Sequence, residues 1–162
     1  MDSEFIGSVL QGHRQSIAQA ISIVEDGGDK SSELMQAVFP CTGKAWRNGA
    51  VLGDRIRMSE FAHDEQVFIR SMATRGNSGG LSAGTADAID VLDAAGFDYI
   101  VVESAGVGQV ELDIEKLVDT TIVTLVPESG DQVQAIKAGL MEIADIYLLN
   151  KADRPDSNRV LN

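Results

Sequence analysis

The sequence predicts an α/β fold with three layers, in which helices cover both faces of a mostly parallel sheet. Short apolar runs alternate with helical stretches over most of the chain, which is the pattern of parallel strands joined by right-handed crossovers. Runs such as YIVV and IVTLV lack polar alternation, as is typical of strands covered on both faces. Residues 1–40 have only helical periodicity, so a helical segment is expected ahead of an α/β domain at residues 41–162.

The N-terminal segment is expected to contain two helices. Apolar residues recur at helical spacing from Phe5 to Val24 and Gly27-Gly28 follows, which predicts one amphipathic helix over residues 3–26. A shorter helix is expected from Ser32 to Val38. Residues 41–53, CTGKAWRNGAVLG, follow neither a helical nor a strand period and are expected to be irregular.

The remaining elements follow from apolar runs and helical faces. Four apolar runs are predicted to be strands: Val67–Met72, Tyr99–Glu103, Thr121–Val126 and Ile146–Asn150. A charged helix is predicted before the first of these strands, at Arg55–Glu65. Two helices are predicted between the strands: one with Leu81, Ala88, Leu92 and Ala95 on a face that ends at Gly96, and one with Val133, Ile136, Leu140 and Ile143 on a face that starts after Gly130-Asp131.

Composition and charge exclude several classes of function. Thirteen Lys and Arg against 25 Asp and Glu give a net charge of −12, which disfavours nucleic acid and anionic membranes as partners. One cysteine, Cys41, and two separated histidines, His13 and His63, supply neither a disulfide nor a zinc site. Neither a secretion signal nor a membrane-length apolar run is visible, so a cytoplasmic location is expected.

The last predicted strand leads into an N-K-x-D sequence formed by Asn150, Lys151 and Asp153. In open parallel sheets, ligands bind beyond the carboxyl ends of the strands. A carboxylate there can accept hydrogen bonds from N1–H and the exocyclic amine of guanine, a donor pair that adenine lacks. The lysine stem can cover the base or the ribose. A simple polar turn after a strand would give the same string.

Two further candidates contain acidic residues near loops. The strand DYIVVE ends at Glu103, where a carboxylate can hold magnesium through water, and Gly106 would let a backbone N–H approach a phosphate. A solvated strand exit explains Glu103 equally well. Asp54, with Arg55 and Arg57, is a candidate metal ligand beside two phosphate-facing cations. The alternative for this cluster is a solvated helix start.

Longer stretches of the sequence resemble one family. They are, in order, ISIVEDG, NGAVLGDRIRM, FIRSMATRG, LDAAGFDYIVVESAGVGQVE and GDQVQAIKAGLMEIADIYLLNKAD. Together they resemble the MeaB, ArgK and MMAA type of GTPase, the G-protein chaperones of cobalamin-dependent methylmalonyl-CoA mutase. The resemblance implies a P-loop GTPase-like domain, GTP or GDP with magnesium as ligands, and a mutase-type protein as partner.

The resemblance also assigns roles to individual residues. By this resemblance, Glu103 would be the Walker B carboxylate and Asp54 a switch I acid near magnesium. Gly106 would be a switch II position, and Asp131 to Lys137 would form a third switch. The guanine reader would be formed by Asn150, Lys151 and Asp153.

The family's phosphate loop, G-x-x-x-x-G-K-[ST], is absent from the sequence. The family has a strand, this loop, its helix and a further strand where this chain has only Trp46-Arg47-Asn48. Gly43-Lys44 is not a substitute, because no glycine-rich turn precedes it and Ala45 stands where a hydroxyl would reach magnesium. The domain is therefore expected to be incomplete, and the chain alone is expected to lack tight GTP binding and useful GTP turnover.

The missing strand has consequences for the sheet and for function. It would lie inside the family's sheet, so its neighbours are expected to close up, change order or pair with another chain, the last of which would give a homo-oligomer. Two hypotheses follow for function. The chain is either a nucleotide-impaired relative of the mutase-associated GTPases, or a non-catalytic interaction module or deletion product that retains the fold.

Overall fold

The computed structural model describes residues 1–50, 61, 64, 66–72, 81–103, 114–127 and 140–154. The helices are α1 (Ser3–Leu10), α2 (Arg14–Asp26), α3 (Asp29–Val38), α4 (Thr85–Ala94) and α5 (Leu140–Ile143), with a 3₁₀ turn at Phe39–Cys41. The strands are β1 (Trp46–Ala50), β2 (Tyr99–Glu103), β3 (Thr120–Leu125) and β4 (Ile146–Leu149).

The chain divides into two compact units. The first, called the helical unit, comprises the described residues within Met1–Trp46, Asp54–Asn77 and Leu81–Ile100. The second, called the sheet unit, comprises those within Arg47–Gly53, Ser78–Gly80 and Val101–Asn162.

The expectation of one helix over residues 3–26 is wrong, because the chain turns between α1 and α2. Gly12 has φ +79°, a left-handed conformation that interrupts a right-handed helix, and the N–H of His13 donates to the carbonyl of Ser8. The Asp2 carboxylate caps α1 by accepting from the N–H of Glu4 at 3.1 Å. The apolar periodicity persists across the turn because Val9 on α1 and the buried residues of α2 line the same core.

The core of the helical unit is formed by α1 to α4. Its fully buried side chains include Ile17, Leu34, Val38 and Val91, each with 0% exposure. Helix α4 carries Ala88 and Leu92 of the predicted face and ends at Ala94, before Gly96 with φ +92°, whereas Leu81 lies ahead of the helix. The amphipathic pattern of these helices therefore predicted which faces they bury.

The predicted strand Val67–Met72 is wrong, because residues 67–72 belong to no strand. Side chains attach this segment to α2 in place of ladder hydrogen bonds. The guanidinium of Arg14 donates to the carbonyls of Asp64 and Val67, and Arg70 Nη2 lies 2.6 Å from Glu25 Oε2. The apolar side chains that suggested a strand pack instead on the helices, with Phe68 and Met72 against the core.

The four described strands have the order β2-β1-β3-β4. β1 pairs with β3 in parallel, with Asn48 opposite Thr120 and Ala50 opposite Ile122. β3 pairs with β4 in parallel, from Ile122 opposite Ile146 to Leu125 opposite Leu149. The parallel sheet confirms the predicted fold class.

β1 corrects the expectation that residues 41–53 are irregular throughout. The segment Trp46–Ala50, WRNGA, has little intrinsic strand preference, and it becomes a strand because its backbone pairs with β3. β1 also occupies an interior position between β2 and β3. An internal strand is therefore present in the sheet although the family's phosphate-loop strand is absent from the sequence.

Burial of the strands is uneven. On β2, Ile100 and Val102 are buried, whereas Tyr99 and Val101 are 74% and 66% exposed, so the expected burial on both faces does not hold at these two positions. Ile146 and Leu148 on β4 are also exposed. None of the helices in the described ranges is long and apolar enough to cross a membrane.

Several predicted elements lie outside the described residues. They are most of the helix predicted at Arg55–Glu65 and the part of the last predicted helix before Leu140. The end of that helix is described as α5.

Candidate functional site

The carboxyl ends of β3 and β4 lie at the same edge of the sheet because the two strands are parallel. β4 ends at Leu149, and the N-K-x-D sequence begins at the next residue. The backbone N–H of Asn150 donates to the carbonyl of Leu125 at 2.9 Å, which fixes the start of the loop against the last residue of β3. The parallel pairing thus determines where the loop leaves the sheet.

The loop that follows has a defined backbone. Asn150 Oδ1 accepts from the N–H of Lys151 at 2.9 Å, and the N–H of Arg154 donates to the carbonyl of Lys151 at 3.0 Å. Lys151 has φ 57°, and among the described residues it is the one non-glycine with a positive φ. Left-handed backbone is costly for a residue with a Cβ and is found preferentially at functional sites.

The side chains of the loop are available to a ligand. Asn150, Lys151 and Asp153 are all exposed, so a planar base can approach them from solvent. An ionised carboxylate such as that of Asp153 accepts hydrogen bonds only, and it matches the two adjacent N–H donors of guanine. The structure therefore brings together the three residues predicted as the guanine reader on one loop at the sheet edge.

The predicted metal ligands are not brought together within the described residues. Glu103 is the exposed last residue of β2, at the end of a strand, as predicted. Asp54 and Gly106 lie outside the described residues. Over the described ranges, no group of three or more His, Cys, Asp or Glu side chains has a metal-binding arrangement.

The Gly43-Lys44 segment has a different role from that of a phosphate loop. Three successive backbone N–H groups, those of Gly43, Lys44 and Ala45, donate to the Asp93 carboxylate at 2.7, 3.0 and 3.1 Å. Gly43 takes φ +91°, which lets its N–H turn towards the carboxylate. The arrangement is a small anion-binding nest of backbone N–H groups, and its anion is a side chain of the same unit.

Asp93 is the residue of this region that sequence reasoning missed. It lies on α4 with 0% exposure, and its negative charge is satisfied by the N–H donors. A signal was present, since an aspartate between Leu92 and Ala94-Ala95 is a charge in an apolar run, and buried charges require partners. Because these N–H groups are already bonded to a carboxylate, they are not available to hold a phosphate.

Comparison with solved structures supports the fold assignment. A crystal structure of a LAO/AO transport system kinase superimposes with a TM-score of 0.74 and 25% sequence identity, covering 98% of this chain and 59% of that chain. The parallel sheet followed by an N-K-x-D loop therefore belongs to the class of P-loop GTPase-type α/β proteins. The model of the methylmalonyl-CoA mutase-associated GTPase MeaB matches residues 45–162. This chain belongs to that family.

Relatives in three organisms agree with this assignment. A Pyrococcus abyssi protein is 43% identical, with the alignment covering 95% of this chain and 60% of the relative. GTPase ArgK of Escherichia coli is 30% identical over 98% of this chain and 61% of its own length. The mitochondrial methylmalonic aciduria type A homolog of Mus musculus is 36% identical over 93% of this chain and 32% of its own length.

The alignments also show how much of each relative this chain spans. The chain spans about three fifths of the P. abyssi and E. coli relatives. The alignment with the P. abyssi protein runs over 195 positions, whereas this chain has 162 residues. The relative therefore contains residues within the aligned region that this chain lacks.

Proposed function

We propose that this chain is a nucleotide-impaired member of the mutase-associated GTPases, which recognises the guanine base through Asn150, Lys151 and Asp153 but does not hold the phosphates. The observation that supports guanine recognition is the ordered loop after β4, with Asn150 bonded to β3 and Lys151 in a left-handed conformation. The observation that supports weak phosphate binding is the occupation of the Gly43–Ala45 N–H groups by Asp93.

The energies of the available hydrogen bonds favour weak binding of GTP. Charge-assisted hydrogen bonds contribute about 1.5–3 kcal/mol each, so two bonds from guanine to Asp153 account for roughly millimolar affinity, about 4 kcal/mol. A phosphate loop adds several such bonds and brings affinity to the micromolar range, about 8 kcal/mol. With the loop absent from the sequence, the described residues offer the phosphates of GTP no equivalent set of donors.

The residues present fit the base and not the triphosphate. Magnesium bound with GTP would screen the phosphate charge, and Glu103 is the described residue that would hold it through water. Phosphoryl transfer depends on positioning and charge neutralisation around the γ-phosphate. Because the loop lysine and its neighbouring hydroxyl are absent, the chain alone is proposed not to hydrolyse GTP.

The proposed partner is a cobalamin-dependent methylmalonyl-CoA mutase-type protein, through the family to which the chain belongs. A second candidate function is a non-catalytic interaction module that contacts this partner without nucleotide. The Asp93 contact favours it, because a carboxylate of the chain itself supplies the anion to the N–H groups ahead of β1. Association with the mutase that is independent of added nucleotide would distinguish this second function.

Guanine recognition is tested by titrating the ¹⁵N-labelled chain with guanosine and, separately, with adenosine. Guanosine is expected to shift the amide signals of residues 150–154 with a dissociation constant of roughly 1 mM, and adenosine is expected to bind more weakly. Asp153→Ala removes the carboxylate that distinguishes the bases and is expected to abolish the preference. Asp98→Ala, at another exposed aspartate, is the matched control and keeps the preference. Equal binding of both nucleosides by the unmodified chain would contradict guanine recognition.

A further inference from the structure

Asp145, the residue before β4, makes two hydrogen bonds to a single residue of β3. Its carboxylate Oδ2 accepts from the N–H of Thr121 at 2.8 Å, and its own N–H donates to the carbonyl of Thr121 at 3.0 Å. Thr121 is buried, with 4% exposure. Both backbone groups of the buried Thr121 are therefore bonded to the residue that precedes β4. The Asp145 side chain thus extends the β3–β4 ladder by one hydrogen bond.

This pair of bonds is specific for one register of β3 and β4. Next along the strands come four residue pairs, from Ile122 opposite Ile146 to Leu125 opposite Leu149. The ladder ends where the N–H of Asn150 donates to the carbonyl of Leu125. A slip of one residue would reverse the faces of every side chain on β4. It would also separate Asp145 from Thr121 and Asn150 from Leu125.

We propose that Asp145 is a positioning residue for the loop of Asn150, Lys151 and Asp153. By holding the amino end of β4 to Thr121, it sets the register in which β4 delivers Asn150 to the end of β3. It acts through the strand, and it touches no part of the ligand. The proposal rests on the proposed guanine recognition for its functional consequence, whereas its structural consequence is independent of any nucleotide.

The structural consequence is tested by amide hydrogen exchange on Asp145→Ala and Asp145→Asn. In the alanine variant, the Asn150 amide is expected to exchange at least about tenfold faster than in the unmodified chain, the equivalent of one lost hydrogen bond. The exchange rate of the Val102 amide on β2 is expected to change less. The asparagine variant retains an oxygen that can accept from Thr121 and is expected to stay close to the unmodified chain. An unchanged Asn150 amide, or an equal factor at Asn150 and Val102, would show a role in general stability only and overturn the proposal.

The functional consequence is tested on the same variants by the ratio of guanosine to adenosine binding. Asp145→Ala is expected to reduce this ratio and Asp145→Asn to restore it. A guanosine-to-adenosine ratio that stays unchanged in the alanine variant overturns the proposal. If the unmodified chain shows no preference between the nucleosides, guanine recognition is overturned, and the exchange experiment alone decides the role of Asp145.

If the alanine variant does not fold, Asp145→Glu replaces it, since its longer side chain displaces the carboxylate. Wild-type exchange at Asn150 in that variant overturns the proposal.

Discussion

Replacing Asp93 with alanine is expected to lower the free energy of unfolding of the helical unit by about 2–4 kcal/mol. The carboxylate is fully buried and accepts from three consecutive N–H groups. Its removal leaves those donors without their charged partner, and water replaces it only in part because Ala45 is half-buried. The measurement is urea unfolding followed by circular dichroism, compared with the unmodified chain.

Two variants sharpen this experiment. In Asp93→Asn the side chain has nearly the same shape but only one acceptor oxygen, and its amide N–H₂ would face an N–H donor. This variant is therefore expected to recover only part of the stability that Asp93→Ala loses. Asp98→Ala, at an exposed position shortly after α4, is expected to stay within about 0.5 kcal/mol of the unmodified chain. A similarly small change for Asp93→Ala would show that the nest of residues 43–45 contributes nothing to stability.

Restoring the family's phosphate-loop segment after Ala45 is expected to raise GTP affinity by at least about 100-fold, since two additional charge-assisted bonds contribute about 3 kcal/mol or more. The expectation follows from the proposal that the guanine-reading loop is intact and that only the phosphate donors are lacking. Isothermal titration with GTP and magnesium measures the affinity, and phosphate release measures turnover.

The control for this chimera is the same insertion with the loop lysine replaced by alanine. It carries the same added length but lacks the cation that faces the phosphates, so most of the gain in affinity is expected to disappear. A folded chimera whose GTP affinity equals that of the unmodified chain would show that more than the phosphate loop has been lost.

The sequence predicted the helical core and three of the four described strands because their local patterns agree with their tertiary environment. β2, β3 and β4 are rich in Val, Ile and Leu, and α2 and α3 bury the faces that their periodicity indicates. The failures occur where tertiary contacts decide. WRNGA is a strand only through pairing with β3. Residues 67–72 are attached to α2 by Arg14 and by the ion pair of Arg70 with Glu25, rather than to a neighbouring strand.

In the candidate site too, local features could be predicted from the sequence and long-range contacts could not. The residues proposed to read guanine lie within one short stretch that follows a strand, so Asn150, Lys151 and Asp153 could be predicted from a short motif. The contacts that fix the surrounding backbone join distant residues, as Asp93 does with Gly43 and Asp145 with Thr121. Such contacts have no local signature beyond an acidic residue in or beside an apolar run, which is why the sequence did not reveal them.

The central claim is that this chain retains the base-reading loop of its family without the donors for the phosphates. It is tested most directly by titrating guanosine and magnesium–GTP into the same preparation under identical conditions. The two dissociation constants are predicted to agree within about threefold, a difference smaller than the contribution of one typical hydrogen bond. Micromolar binding of GTP alongside millimolar binding of guanosine would contradict the claim, because the chain would then have to contain a phosphate site.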